Sequence, residues 1–428
     1  MPPEGVVTGY LVAGLRLGRH IDGLVDAYYG PPRLAAAVEA EPPRAPGAIA
    51  AELRSLIAAL DAGEPLDGPA GAAWPDRPAG GSDHRGGSGG SGVPGVDVAS
   101  RRAWVRAQLV GLLTTARRLA GDLIPYADEV ELCYGVRPVR VPEDTVMEAH
   151  RLLEEVLPGS GDLRTRLVTW RESHAIPVDR LGTVIGALAE VLRHRTAELF
   201  GLPEGESVSF ELVHDQPWSG FNYYRGDLRS DVAVNTDLPV LSTGIAHLVA
   251  HEAYPGHHTE HTRKEAGLVR GRRWMEESIF LVGTPQCLCA EGLADLGLEV
   301  VFGPRPEPAV AEVLAPLGVR YDAEVVAAVA QAGEALGAVR QLAAFRLHED
   351  GADPETVVSE VARLGLLPRD RAAKSVEFLT HPTWRAYLTC YVEGLPLCRR
   401  FVSGDPRRFE RLLTEQLTPA DLQAAILG

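Results

Sequence analysis

The stretch His251-Glu252-Ala253-Tyr254-Pro255-Gly256-His257-His258-Thr259-Glu260-His261 sets four histidines and two glutamates within eleven residues. Together with His247 it accounts for five of the chain's 13 histidines. A lone histidine on a helix is ordinarily a satisfied core residue or a solvated one. A run this dense, beside carboxylates and a Pro-Gly break, fits a metal centre. A catalytic zinc takes three protein ligands, mostly His and carboxylate, and keeps one position open. It lowers the pKa of a bound water to about 7, and a nearby carboxylate removes the proton during attack on a carbonyl.

The common helical arrangement, HExxH, sets two histidines one turn apart with the glutamate beside the first. Here Pro255 stands four residues after His251. His257 follows at i+6, about 240° around a regular helix from His251. The two can share an ion only if the helix breaks between them. Pro255-Gly256 supplies a break, since proline lacks the amide hydrogen and glycine accepts unusual dihedrals. In this reading Glu252 is the base. A second reading takes His257-His258-Thr259-Glu260-His261 as the inverted HxxEH motif, with His257 and His261 as ligands and Glu260 as base. A third pairs His247 with His251 at i+4. His258, at i+7 from His251, lies about two turns away, too far for one ion. The first reading is preferred and the others stay open. His247 taken alone is expected to support the site or pack in the core.

A third ligand commonly comes from a later helix. In Glu291-Gly292-Leu293-Ala294-Asp295 the two acids share a helical face at i+4, and Glu276 and Glu277 are rivals nearer in sequence. The run His251-Glu252-x-x-Pro255-Gly256-His257, followed by Glu291-Gly292-Leu293-Ala294, resembles the HExxPGH signature of the bacterial family known as domain of unknown function 885. That family is similar in fold to carboxypeptidase Taq-type zinc metallopeptidases. The resemblance implies His251, His257 and Glu291 as metal ligands, Glu252 as general base and Zn2+ as the ion. The donor types themselves favour zinc over other divalent metals only weakly. The resemblance also implies a proline followed by a late-helix tyrosine, here Pro382 and Tyr391-Val392-Glu393-Gly394. Such a tyrosine, Tyr391, donates a hydrogen bond to a tetrahedral oxyanion. Tyr387, one turn earlier, competes for that role, and a buried helix tyrosine is the plain alternative. The usual aromatic residues of the Glu-Gly-x-Ala segment are Leu293 and Leu296 here, and a usual Gln is Glu260.

Working outward, helices broken by Pro-rich turns are expected to residue 62, with Gly30-Pro31-Pro32 opening one of them and Ala48–Leu60 forming another. Gly/Ser/Pro-rich sequence at 63–98 predicts a flexible insertion, and His84 within it is given no role. A helix is expected from an N-cap at Ser100 to about Asp122, with others near 143–156, 162–172 and 178–200. Period-two alternation at Val208, Phe210 and Leu212 then predicts a strand, joined by Gly220–Tyr224 and Asp231–Asn235 in the chain's one sheet. The aromatics Phe221, Tyr223 and Tyr224 are expected to pack that sheet. Helices return from about 240.

The 428 residues carry 42 basic and 58 acidic side chains, a formal charge of −16. This disfavours nucleic acid and anionic membrane surfaces as partners. Five scattered cysteines (Cys133, Cys287, Cys289, Cys390, Cys398) form no CxxC pair and fit a reduced, cytoplasmic chain. Neither a signal peptide nor a membrane-spanning run is evident.

The sequence therefore predicts a mainly α, zincin-like fold of two lobes around a cleft, with a small antiparallel β-sheet next to the metal-binding helix. Expected divisions are 1–62, an N-terminal helical part; 63–98, the insertion; 99–205, a helical lobe; and 206–428, the catalytic lobe. The expected function is a zinc-dependent metallohydrolase, carboxypeptidase-like, acting on a peptide or small amide. The alternative is a non-catalytic metal-binding or interaction protein on a decayed metallopeptidase fold, supported by Leu293 and Leu296.

Overall fold

The computed structural model describes residues 5–67, 98–216, 218–381 and 384–428. Most of the insertion, with His84, and also Pro382 lie outside the described residues. The fold is mainly helical, as expected, and many of its helices open on a proline, though Pro396 lies inside one. A proline at the first helical position loses no hydrogen bond, because that amide has no intrahelical acceptor.

The chain begins with α1 (Val6–Gly18), β1 (Val25–Tyr28), α2 (Pro32–Ala40) and α3 (Pro46–Asp61). Then come α4 (Val98–Leu119), α5 (Tyr126–Tyr134), α6 (Glu143–Val156), α7 (Leu163–Glu172) and α8 (Val178–Phe200). Helix α4 is already formed at Val98, so Ser100 is not its N-cap. The sheet strands are β2 (Ser207–Val213), β3 (Gly220–Gly226) and β4 (Arg229–Asn235), followed by α9 (Ser242–Glu252), α10 (His257–Lys264), β5 (Ile279–Leu281) and α11 (Pro285–Phe302). Helices α12 (Glu307–Leu314), α13 (Ala323–Gly337), α14 (Val339–His348), α15 (Pro354–Leu364) and α16 (Arg369–Thr380) lead to α17 (Thr389–Val402), α18 (Pro406–Thr414) and α19 (Pro419–Leu427).

The three-stranded sheet runs in the order β2-β4-β3. Strands β3 and β4 are antiparallel, as expected, and turn through Asp227 and Leu228, both at positive φ. Strand β2 instead lies parallel to β4, with Val208 opposite Ser230 and Phe210 opposite Val232. Two chain reversals separate β2 from β4, which leaves them pointing the same way. A second, two-stranded antiparallel sheet joins β1 to β5. Strands of four and three residues are too short to show alternation, so sequence pattern misses them.

Apolar burial gathers in one large cluster that includes α1, α4, α11 and α17, a second between α8, α9 and the sheet, and a small third around α6 and α7. Helix α11 is buried on almost every side, as expected of a helix apolar all round. It packs most extensively on α17. Glycine permits this approach: a Cβ on Gly292 would sit 2.4 Å from the Gly394 carbonyl oxygen. Leu293 and Leu296, both buried, belong to the large cluster.

Candidate metal centre

Helix α9 stops at Glu252 and α10 starts at His257. Between them the Tyr254–Pro255 peptide is cis, and the Gly256 amide donates to the Ala250 carbonyl at 2.9 Å. The chain folds back so tightly that a Cβ on Gly256 would lie 1.9 Å from the His251 carbonyl oxygen. Only glycine fits. Pro255 packs on α11 at Gly297, where a Cβ would come within 3.0 Å of its ring. The break cancels the rotation that a continuous helix would impose and turns His257 towards His251.

The two Nε2 atoms face each other at 3.1 Å. Glu291 on α11 completes the group, with Oε2 3.5 Å from His251 Nε2 and Oε1 3.9 Å from His257 Nε2. Four ligands at tetrahedral corners about 2.0–2.1 Å from zinc are roughly 3.3–3.4 Å apart. The three donors lie near that spacing. Glu291 Oε2 is buried and has no hydrogen-bond partner. Two imidazole nitrogens and one carboxylate, with one of its oxygens left without a hydrogen bond, face one point, so the residues present fit a divalent cation.

The surrounding groups hold these donors in place. His251 Nδ1 donates to Asp295 Oδ1 at 2.9 Å, which fixes the tautomer that leaves Nε2 free. Burial works against charge on His251, but its bonds to Asp295 and Glu291 outweigh this and hold its pKa well above the ordinary value. Burial followed by the His251 charge pushes His257 down. Tyr387, just before α17, donates to Glu291 Oε1 at 3.1 Å, and its hydroxyl meets that of Tyr391 at 2.7 Å. With the Tyr387 proton on Glu291, the Tyr391 proton points to the Tyr387 oxygen.

Through its carboxylate Glu252 makes no hydrogen bond or ion pair with a described residue. Burial raises its pKa, with His251 and then His257 opposing the rise. Its backbone carbonyl accepts from Asn222 Nδ2 on β3 at 2.5 Å. Its Oε1 comes within 3.2 Å of where Gly220 would carry a Cβ. Tyr391 is 41% exposed, yet enough protein surrounds it that burial lifts its phenol well above the ordinary range.

The inverted reading does not assemble. Glu260 is tied to Lys264 Nζ at 2.7 Å, and the buried His261 ring stacks on Tyr224 with centroids 4.7 Å apart. His258 turns to the sheet, bonded to Ser230 Oγ at 2.8 Å and Glu206 Oε2 at 2.9 Å. Glu276 pairs with Arg101 at 2.6 Å, and Glu277 accepts from Gln286 Nε2 at 3.2 Å. His247 is half-exposed, with Nε2 3.5 Å from Asp295 Oδ1. His247, His251 and Asp295 form the other three-ligand group among the described residues. Phe221 and Tyr223 pack against each other and Trp218 on the sheet. Two contributors were given no role by the sequence reading. Asp295 had a signal, its i+4 spacing from Glu291. Asn222 had none.

No family model and no curated protein matches this chain. In fold it is similar to a solved structure described as "the putative lipoprotein from Colwellia psychrerythraea", at 15% identity and TM-score 0.51. The likeness covers 76% of this chain and 60% of that one, so the chain spans about three-fifths of the neighbour's length. At that identity the likeness is one of fold alone. Among the described residues no helix is long and apolar enough to cross a membrane.

Proposed function

We propose that this chain is a zinc-dependent metallohydrolase that cleaves peptide or amide bonds, held by His251, His257 and Glu291 around the ion. The observation that carries the reading is the convergence of those three donors beside the unpaired carboxylate of Glu252. Bound there, a divalent ion supplies Lewis acidity: it polarises a carbonyl and acidifies water. The chain's own residues do the rest. Glu252 takes a proton from the attacking water and passes it to the leaving nitrogen. The Asn222 bond to the Glu252 carbonyl and the bare Gly220 keep that carboxylate clear. Asp295 holds the His251 ring, and Tyr387 holds Glu291. Tyr391 exchanges its bond with Tyr387 for one to the developing oxyanion.

The finer carboxypeptidase-like reading rests on the family resemblance. A cytoplasmic setting is supported by five unpaired, buried thiols. Leu293 and Leu296, on which the non-catalytic alternative draws, both lie in the large apolar cluster. Metal analysis of the purified chain with a peptide-library cleavage assay tests the reading. One zinc per chain and cleavage abolished by chelation are expected. A His257→Ala variant that keeps both metal and cleavage would overturn it.

A further inference from the structure

One turn before His251 on α9, another histidine meets a carboxylate of α11. His247 Nε2 lies 3.5 Å from Asp295 Oδ1. Its ring stacks on that of His251, with centroids 5.8 Å apart and planes 20° from parallel. His247, His251 and Asp295 each bring a donor atom within 4.8 Å of the others. The group stands on the Nδ1 side of the His251 ring, since Nδ1 donates to Asp295 while Nε2 faces His257. It is a separate place from the centre formed with His257 and Glu291.

Neither ring nitrogen of His247 makes a hydrogen bond with a described residue, nor does Asp295 Oδ2. The two side chains face each other without a hydrogen bond, at a separation close to an edge of the zinc tetrahedron. Asp295 Oδ1 serves His251, which fixes the rotation of the carboxylate and leaves Oδ2 for an ion. Asp295 is mostly buried and His247 half-exposed, so the pair is anchored on one side and open to solvent on the other. The helices that carry them are locked together. At Gly297 a Cβ would come 3.0 Å from the Pro255 ring and 3.8 Å from the Ala250 carbonyl oxygen. Donors on rigid elements need little ordering when an ion arrives. Elsewhere His194 meets Glu198 at 3.3 Å and His214 meets Asp237 at 3.7 Å, but these side chains are all exposed and neither pair has a third donor beside it among the described residues.

We propose that His247 and Asp295 hold a second divalent cation of the zinc class, with water in its remaining positions and His251 keeping its Nδ1 proton. Imidazole with carboxylate suits zinc and its first-row neighbours better than calcium or magnesium. Two protein donors against three make this the weaker site, and two dications flanking one imidazole repel each other. It therefore fills only in excess free zinc, and a chain purified without added zinc carries one ion. The second ion binds the carboxylate that orients His251, so the two sites are coupled. The proposal does not depend on hydrolysis of any bond.

Zinc binding alone decides it. The chain, stripped by chelator, is dialysed against rising free Zn2+ and its zinc is counted by elemental analysis, with circular dichroism confirming that each variant is folded. Wild type should take up two ions in two steps. His247→Ala should lose the weaker step. His257→Ala should lose the tighter step and keep the weaker. In NMR spectra of wild type, the His247 ring signals should move during the second step while those of His194 and His214 stay in place. A wild type lacking any step that His247→Ala removes overturns the proposal, whether it takes up one ion or two. A wild type whose sole step depends on His247 and not on His257 upholds this site and overturns the centre at His251, His257 and Glu291 instead.

Discussion

The two halves of the segment from His251 to His261 are near mirror images in letters and opposites in structure. His251-Glu252 ends one helix with its polar atoms unpaired or aimed at a common point. Glu260-His261 sits one helix later with its charge and its ring already partnered, Glu260 by Lys264 through Oε1 and His261 by Tyr224 and Phe280, though Glu260 Oε2 is left without a hydrogen bond. Both glutamates are buried, and burial raises the pKa of each. The difference is the source of positive charge. At Glu260 it is built into the chain, four residues on. At Glu252 and Glu291 it has to come from outside. What separates a reactive carboxylate from a structural one here is whether the fold has supplied its counterion.

The widest expected divide between the halves is in turnover. Glu252→Gln should keep its metal and lower kcat about 10²–10⁴-fold, the usual worth of a general base. Glu260→Gln should stay within a few-fold of wild type. Steady-state kinetics with metal analysis reads both, and the reverse pattern would restore the inverted motif.

Next comes the counterion itself. Lys264→Met strands the Glu260 charge in the interior, which costs about 3–5 kcal/mol. Urea unfolding should show this loss, and adding Glu260→Gln should recover most of it.

On the reactive side, Asp295→Asn removes the acceptor that orients His251. Zinc affinity should fall about 10–100-fold, measured by competition with a chromogenic chelator, while stability changes little.

The smallest effect concerns Glu277, which also faces Lys264. Burial raises its pKa from 4.5 to about 7. Between those values the folded chain holds a proton that the unfolded chain has lost, so stability declines as pH rises through this window. Glu277→Gln should abolish the decline. Its melting temperature should match wild type near pH 4.5 and exceed it at pH 8, by roughly 1–3 kcal/mol in stability.

Sequence alone carried the mainly helical architecture and the three strands before α9, while the His251–His257 pairing is one of three readings its residues leave open and Glu291 is what the family resemblance implies. The helices and strands are legible because they rest on local periodicity, and the pairing of His251 with His257 is thinkable because a Pro-Gly break stands between them. The family resemblance also pointed to Tyr391 but left Tyr387 beside it as a rival, and the structure gives the two hydroxyls successive places in one hydrogen-bonded chain. What escaped depends on distant chain segments meeting. The β1–β5 pair joins residues at opposite ends of the first two-thirds of the chain. The parallel pairing of β2 follows from the number of turns, not from side-chain pattern. Asn222 acts through its contact with a backbone carbonyl, for which alternation on a strand gives no sign.

Helix α11 carries both Glu291 and Asp295 and lies in the middle of the largest apolar cluster. Its amides should be among the slowest in the protein to exchange, opening only when the whole fold opens. Fraying at the surface helices, including α19 at the carboxyl end, would then leave the spacing of the ligands untouched. The site's geometry would have no melting point of its own: it would persist up to the temperature at which the protein ceases to be folded, and vanish there all at once.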